Sequence, residues 1–184
     1  MNKNSISDNL KTAIQASLNA GKAIMDVYDS DFAVEVKDDK SPLTEADKRA
    51  NDIINTFLVP TKIPVISEEN KQTEYEVRKL WDMCWIVDPV DGTKEFIEGV
   101  PNFVVSVALV ENGFPIVGVL FNPVTKEIFT AASDEGAHLN GETINCVTKE
   151  DVCDMVILNS RSETRRGSRG QCLRSRLSPD RNPV

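Results

Sequence analysis

The stretch WIVDPVDGTKEFIEG, residues 85–99, crowds two carboxylates, a proline and a glycine into five positions at the end of an apolar run. Met83–Val87 has the length and composition of a short buried strand, and Asp88 follows it directly. Asp91 comes three residues later, and Gly92 permits a sharp backbone turn behind it. The stretch therefore predicts a buried strand that ends in an acidic turn.

A second pair of acidic residues follows another short strand. Ile63–Ser67 (IPVIS) is apolar and runs directly into Glu68 and Glu69. If the two strands are neighbours in one sheet, Glu68, Asp88 and Asp91 meet at one edge, where their charges repel and favour protonation. A hard divalent cation removes that conflict, and Mg²⁺ takes oxygen ligands together with water and substrate phosphate. The two strand ends therefore predict a magnesium site.

The residues around the two aspartates suit a site that holds both a metal and a phosphate. Pro89 stiffens the chain after Asp88, so that the carbonyl of Val90 can point inward as a neutral ligand. Thr93 and the N–H groups behind it lie where Lys94–Ile97 begins a helix or a turn, and an anion is favoured there. We therefore expect metal on one side of this turn and phosphate on the other.

The acidic motif does not match the common calcium- and nucleotide-binding loops. An EF-hand requires acidic side chains at alternate positions, whereas Asp88 and Asp91 are three apart. A Walker A loop and a GxGxxG motif are both absent from the sequence. Taken alone, Asp91 is more often an Asx-turn residue, Thr93 an N-cap, and Glu68 part of a solvated loop. The combination of one strand ending in EE with another ending in DPxDGT is much more specific than its parts.

Two amphipathic helices are predicted before the acidic strands. Ser5–Tyr28 repeats apolar residues at helical spacing. A second helix follows Thr44, which has the character of an N-cap, and Asp47 stands in the capping-box position. The apolar face of that helix comprises Ala46, Ala50, Ile53, Ile54, Phe57 and Leu58. Asp47 taken alone is more often a capping residue than a catalytic one, and the two roles are compatible.

Strands and turns dominate the chain after residue 100. Phe103–Val110, Ile116–Phe121 and Ile128–Ala132 are predicted strands, and their turn-rich connections favour an antiparallel meander. Residues 136–145, GAHLNGETIN, form a further turn-rich stretch.

Composition and charge exclude several classes of function. The formal net charge is −8, which argues against a nucleic acid polymer as partner. No apolar run approaches the roughly 20 residues needed to span a membrane, and the N-terminus lacks an apolar signal core. Cys84, Cys146, Cys153 and Cys172 lack CxxC spacing, which is typical of reduced cysteines in a cytoplasmic protein.

The motifs together resemble the inositol monophosphatase superfamily, whose signature is D-P-x-D-G-T-x-x-F. DPVDGTKEF at residues 88–96 carries that signature, and SPLTEAD, VISEE, PNFVVSVALVENGFPIVGV and GAHLNGE support it. The resemblance covers roughly residues 5–167. Within the superfamily, KDDKSPLTEAD and DGTKEFI look most like the 3′(2′),5′-bisphosphate nucleotidase branch, the CysQ type.

The resemblance implies a fold, a reaction and a set of site residues. It implies a layered α/β sandwich and magnesium-dependent hydrolysis of phosphate monoesters, with two or more ions and inhibition by Li⁺. The matching metal-ligand positions are Glu68, Asp88, Val90 through its carbonyl, and Asp91. The matching substrate-binding positions are Glu68, Val90, Asp91, Gly92 and Thr93. Asp47 and Thr93 match the catalytic pair that orients and deprotonates the attacking water.

The implied substrate is a small phosphate monoester. The bisphosphate nucleotidase branch implies conversion of 3′-phosphoadenosine 5′-phosphate to AMP and phosphate, and the alternative within the family is an inositol-1-monophosphatase. Self-association into a homo-oligomer is left open.

The C-terminal end departs from the family pattern. Family members continue through a second α/β half with a W-D-x-A-A-type segment that supplies a further aspartate ligand, and this chain has no such segment. We expect 1–150 to form a metal- and phosphate-binding α+β domain, 151–167 to begin a truncated second half, and 168–184 to be a disordered tail outside the family pattern.

The arginine distribution suggests how the departure arose. Residues 161–184 contain seven arginines and no lysine, which suggests out-of-frame translation or a truncated gene. The competing hypothesis is therefore a catalytically impaired remnant of such an enzyme, because losing a ligand and part of the pocket weakens substrate orientation.

Overall fold

The computed structural model describes residues 3–30, 34–36 and 42–146. The elements follow in the order α1 (Lys3–Tyr28), β1 (Val34–Val36), β2 (Pro42–Thr44), α2 (Glu45–Leu58), β3 (Val65–Ser67), α3 (Tyr75–Arg78), β4 (Met83–Asp91), α4 (Thr93–Ile97), β5 (Val104–Glu111), β6 (Phe114–Asn122), β7 (Glu127–Ala132), β8 (Gly136–Leu139) and β9 (Glu142–Ile144). A 3₁₀ turn, Val59–Thr61, follows α2. No helix in these ranges is long and apolar enough to cross a membrane.

The chain divides into two units, Met1–Ile144 and Asn145–Val184. The first unit contains all the elements named above. The truncated second half predicted at 151–167 and the tail predicted at 168–184 lie outside the described residues. The domain boundaries drawn from the sequence therefore stay predictions.

Within the described residues, seven strands form one sheet in chain order, with β3 at one edge and β9 at the other. β3 and β4 are parallel, and every later pair of neighbours is antiparallel. β1 and β2 form a separate antiparallel pair. These pairings confirm the antiparallel meander predicted for the central strands. The short connections between β5, β6 and β7 permit this arrangement, since antiparallel strands can be joined by a tight turn.

α1 and α2 pack against each other and against one face of the large sheet. The small side chains of Ala13, Ala16 and Ala20 are fully buried on α1, which allows that helix to approach its neighbours closely. The strand residues buried on the same side are Trp85, Val87, Val105, Val107, Leu109, Val117, Val119 and Phe121. Their alternation with less buried residues is the period-two pattern of a sheet that buries one face. The layering confirms the predicted α/β class.

Three aromatic rings connect α1, α4 and the chain that enters β5. The ring centroids of Tyr28 and Phe96 lie 5.3 Å apart, and each of these rings lies 5.2 Å from Phe103. The rings are tilted or edge-on, and such pairs contribute about 0.5–1.5 kcal/mol each beyond their burial. Phe96 and Phe103 are buried, so the cluster fixes α4 against the end of α1.

Residues 136–145 form a hairpin, where the sequence indicated only a turn-rich stretch. β8 and β9 flank Asn140 and Gly141, whose φ angles are 51° and 87°. Asn-Gly favours a two-residue turn with positive φ at both positions, because the twist of that turn matches the twist of the strands. The two strands contain only four and three residues, which is too short for apolar alternation to reveal them.

Gly21 lets α1 approach β6, and alanine at this position is expected to destabilise the fold. A Cβ atom there would lie 2.4 Å from Cε1 of Phe121, whose ring is almost fully buried. We expect Gly21→Ala to lower the free energy of unfolding by about 1–3 kcal/mol in urea denaturation.

Gly118→Ala is the matched control, because a Cβ atom there meets no other atom within 4 Å. We expect its free energy of unfolding to stay within about 0.5 kcal/mol of the parent value. Equal losses in the two variants would show that the contact with Phe121 is not the cause.

Candidate active site

The parallel pairing of β3 and β4 brings the two acidic strand ends together. Ser67 is the register partner of Val87, and the N–H of Glu68 donates to the carbonyl oxygen of Val87 at 3.2 Å. Glu68 therefore leaves the sheet beside the residue that precedes Asp88. The prediction that these two strands are neighbours is confirmed.

β4 continues to Asp91, although the apolar run predicted a strand that ends at Val87. The register between β4 and β5 shifts between Asp88 and Asp91, which marks a bulge. Pro89 lies inside this irregular segment, where its missing N–H costs no ladder hydrogen bond. The acidic motif is therefore a bulged strand end, and the bulge re-aims the side chains that follow it.

Two hydrogen bonds hold the bulged segment. The N–H of Val90 donates to Oδ1 of Asp88 at 3.1 Å, so that Asp88, and not Asp91, forms the Asx turn. The hydroxyl of Thr93 donates to the carbonyl oxygen of Val90 at 3.1 Å. A carbonyl oxygen has two lone pairs, so Val90 keeps capacity for a further partner.

Gly92 closes the turn between β4 and α4. Its φ is 102°, and a Cβ atom would lie 2.9 Å from the carbonyl oxygen of Asn102 and 3.2 Å from Cα of Phe103. Both the backbone conformation and the close approach of the neighbouring chain therefore require glycine. The sequence predicted the turn correctly, and the contact with residues 102–103 is a second reason that it did not reveal.

The predicted acidic residues act on one another electrostatically. The pKa of Asp88 is raised from 3.8 to about 7, first by burial and then by the negative charges of Glu68 and Asp91. The N–H of Val90 opposes this shift, and Asp47 adds the smallest contribution that raises the pKa. Asp88 is half-buried, whereas Glu68 and Asp91 are exposed beside it. The fold therefore gathers the negative charge that the sequence predicts.

These carboxylates do not form a finished metal site. In the part of the chain that the structure describes, no three His, Cys, Asp or Glu side chains are arranged to hold a metal ion as they stand. The two observations are compatible, because charges interact over about 8–10 Å whereas a magnesium–oxygen bond is about 2.0–2.1 Å. Glu68 and Asp91 are exposed, and metal binding would require their side chains to turn toward Asp88. The carboxylate and carbonyl oxygens are of the kind that Mg²⁺ prefers, and their role as metal ligands stays a prediction.

Asp47 and Thr44 form the predicted capping box at the start of α2. The N–H and the hydroxyl of Thr44 both donate to Oδ2 of Asp47, at 2.7 and 2.6 Å. Both side chains are buried. The role of Asp47 as a cap is confirmed, and the relay in which it accepts a proton from Thr93 stays a prediction.

A polar network beside Glu68 was not predicted. The hydroxyl of Ser67 donates to Oδ1 of Asn51 at 2.7 Å, and Nδ2 of Asn51 donates to Oδ1 of Asn70 at 2.9 Å. Asn51 lies one helical turn after Asp47, so both residues occupy the same face of α2. That spacing was the available signal, but an asparagine in a helix is usually taken as a solvated residue.

Gly92→Ala tests the close approach at the turn. Gly99→Ala is its matched control, because Gly99 has a φ of 69° and a Cβ atom there would meet nothing within 4 Å. Both variants incur the cost of a left-handed residue, about 1–2 kcal/mol, and only Gly92→Ala adds the collision with Asn102. We expect Gly92→Ala to lower the free energy of unfolding by at least about 1 kcal/mol more than Gly99→Ala. Equal effects would rule out the collision as a constraint.

The sequence profile of the Inositol monophosphatase family matches residues 6–183. The match covers every residue of the candidate site. It also continues beyond residue 167, where the motif resemblance was expected to end, and the nature of 168–184 stays a prediction.

Individual relatives have similar sequences and folds. The chain is 39% identical over 159 residues to the 3′(2′),5′-bisphosphate nucleotidase CysQ of Salmonella typhimurium, and the aligned region covers 84% of this chain and 64% of that protein. It is 36% identical over 157 residues to an inositol monophosphatase of Mesembryanthemum crystallinum, and the aligned region covers 83% of this chain and 57% of that protein. The crystal structure of CysQ from Bacteroides thetaiotaomicron matches with a TM-score of 0.65 and 41% identity, over 77% of this chain and 52% of that one. The chain thus spans between half and two thirds of the length of these relatives.

Proposed function

Because the chain belongs to the inositol monophosphatase family, we propose that it is an enzyme that hydrolyses phosphate monoesters in a magnesium-dependent reaction. The observation that carries the proposal is the convergence of negative charge from two paired strand ends. Glu68 and Asp91 act on the half-buried Asp88, directly before the turn Val90–Thr93. Such a cluster is unfavourable without a cation and favourable with one.

The proposed metal ligands are the carboxylates of Glu68, Asp88 and Asp91 and the carbonyl oxygen of Val90. When bound, magnesium supplies positive charge that stabilises the phosphoryl oxygens and acidifies water. More than one ion, and inhibition by Li⁺, remain parts of the proposal that the family resemblance alone supports.

The remaining site residues are proposed to handle water and phosphate. Thr93 and Asp47 would orient the attacking water, and Asp47 would take the proton because a threonine hydroxyl is too weak a base by itself. The hydroxyl of Thr93 donates to Val90 in the described geometry, so this role requires it to rotate toward the water. The turn Val90–Thr93 would receive the phosphate, since Gly92 allows a close backbone approach.

The proposed substrate is a 3′(2′),5′-bisphosphate nucleotide, which would lose one phosphate to give the monophosphate. Support comes from the two CysQ relatives at 39% and 41% identity. An inositol phosphate is the second candidate, and the 36% identical inositol monophosphatase supports it. We place the reaction in the cytoplasm, which the cysteine spacing supports. Self-association stays a prediction.

Phosphate release from two substrates tests the proposed reaction. We expect kcat/KM of the 184-residue chain for 3′-phosphoadenosine 5′-phosphate to exceed that for inositol 1-phosphate by at least about tenfold, or 1.4 kcal/mol. The opposite preference would support the inositol monophosphatase alternative. Release of phosphate from neither substrate would favour the impaired remnant.

Asp91→Asn tests whether phosphate release takes place at the acidic cluster. The substitution removes one of the charges that hold the metal, so we expect kcat/KM to fall by roughly two orders of magnitude or more. Asp134→Asn is the control, because Asp134 is an exposed residue in the turn between β7 and β8. Activity that survives Asp91→Asn would show that hydrolysis does not depend on this cluster.

Asp88→Asn separates charge repulsion from metal binding. Because the pKa of Asp88 is raised from 3.8 to about 7, the folded state holds its proton more tightly, and stability falls as pH rises between these values. Asparagine keeps the oxygen that accepts from Val90 and removes the charge. We therefore expect a higher Tm than the parent at pH 8 with EDTA, and no increase in Tm when Mg²⁺ is added. A lower Tm in EDTA, or a Mg²⁺-induced increase equal to that of the parent, would contradict this account.

A further inference from the structure

The segment that carries Glu68 is tied to α2 by side-chain hydrogen bonds. Ser67, the last residue of β3, is 1% exposed, and Asn51 on α2 is 7% exposed. The hydroxyl of Ser67 donates to Oδ1 of Asn51 at 2.7 Å, and the N–H of Glu69 donates to the same hydroxyl at 3.3 Å. Glu68 therefore lies between Ser67, whose hydroxyl is bound to α2, and Glu69, whose N–H is bound to the same hydroxyl.

The other end of the same segment is tied to the same helix. Nδ2 of Asn51 donates to Oδ1 of Asn70 at 2.9 Å, and Nδ2 of Asn55 donates to that oxygen at 3.2 Å. The N–H of Asn70 also donates to the carbonyl oxygen of Ser67 at 3.3 Å, which closes a turn around Glu68. Asn51 uses its oxygen on one side of this turn and its nitrogen on the other.

Neither role of Asn51 can be filled by an apolar side chain. A buried hydroxyl that loses its acceptor retains the cost of desolvation, and the pair of Asn55 and Asn70 then remains as the side-chain contact described above between the turn and the helix. An aspartate at this position would keep the acceptor for Ser67 but could not donate to Asn70. The amide is thus matched to its two partners.

The same face of α2 also carries Asp47, four residues before Asn51. Asp47 is held by Thr44 at the first turn of the helix, as described above. One rigid helix therefore sets the positions of Asp47 and of the Glu68 turn.

We propose that Asn51 is a positioning residue, which holds the Glu68 turn through Ser67 and Asn70 so that the Glu68 carboxylate is presented to the metal site. This inference rests on the proposed function, because it takes Glu68 as a metal ligand. Hydrogen bonds that orient metal ligands typically change metal affinity 10- to 100-fold when they are removed.

The test compares three variants of the 184-residue chain with the parent. Asn51→Leu removes both amide contacts with a side chain of the same branched shape, and Ser67→Ala removes the hydroxyl alone. Asn19→Leu is the control, because in the part of the chain that the structure describes the amide of Asn19 donates within α1, to the carbonyl oxygen of Gln15. Amide hydrogen exchange without metal and the dissociation constant for Mg²⁺ by calorimetry are measured for each.

The proposal predicts a local effect in both measurements. In Asn51→Leu and Ser67→Ala, the amides of Glu68 and Glu69 exchange about tenfold faster or more, while the amide of Val107 in the core of β5 is unchanged. The dissociation constant for Mg²⁺ rises about 10- to 100-fold. Asn19→Leu matches the parent in both.

Several results would overturn the proposal. Unchanged exchange at Glu68 and Glu69 would show that Asn51 does not hold the turn, and faster exchange at Val107 as well would show only a loss of global stability. Faster exchange at Glu68 and Glu69 with an unchanged dissociation constant for Mg²⁺ would show that holding the turn does not affect metal binding. If Asn51→Leu does not fold, Ser67→Ala and Asn51→Asp are used. Asn51→Asp keeps the acceptor for Ser67 and removes only the donor to Asn70, so we expect it to speed exchange at Glu68 and Glu69 less than Ser67→Ala does, and unchanged exchange in both variants would overturn the proposal.

Failure of the proposed function gives a different result. A parent chain that binds no Mg²⁺ would overturn the proposed metal site, and with it the role of Asn51 in presenting a ligand. The exchange measurements would then still show whether Asn51 holds the turn, since they contain no metal.

Discussion

The parallel pairing of β3 with β4 is the constraint on which the candidate site depends. It places the N–H of Glu68 against the carbonyl oxygen of Val87, and Asp88 follows immediately. A shift of one residue in this register would turn the side chains of β3 to the opposite face and move Glu68 away from Asp88. Trp85 helps to prevent such a shift, because its fully buried indole donates to the hydroxyl of Thr61 at 3.1 Å, just before β3.

The fold holds the acidic turn from the opposite side as well. Phe96 of α4 packs with Tyr28 and Phe103, and Gly92 allows residues 102–103 to lie directly against the turn. The turn is thus enclosed by apolar contacts, while the carboxylates on its other side remain half-buried or exposed. This division lets a region of repelling charges exist in the folded chain, because the stabilising contacts and the destabilising charges involve different atoms.

Much of this architecture could be predicted from the sequence. Long periodic segments such as α1, the capping box at Thr44 and Asp47, and the meander of β5 to β7 all have local signals of composition or spacing. That Glu68 lies near Asp88 could be predicted only on the assumption that their two strands are neighbours. The sequence of either strand does not indicate which distant strand it pairs with. The bulge at Pro89, the contact of Gly92 with Asn102 and the amide of Asn51 between Ser67 and Asn70 were not predictable, because each depends on which distant atoms the fold brings near.

The topology of the sheet also implies an order of assembly. In the described residues, β5 to β9 form a meander whose neighbouring strands are joined by connections of 2 to 4 residues, so each pairing closes a short loop. The pairing of β3 with β4 is different, because a connection of 15 residues that includes α3 separates the two strands and the register is parallel. Loop closure costs more entropy for such a connection, and contacts between sequence-distant elements form more slowly. We therefore expect the meander to fold first and β3, the strand that precedes Glu68, to pair afterwards, so that the charged region is completed late in folding.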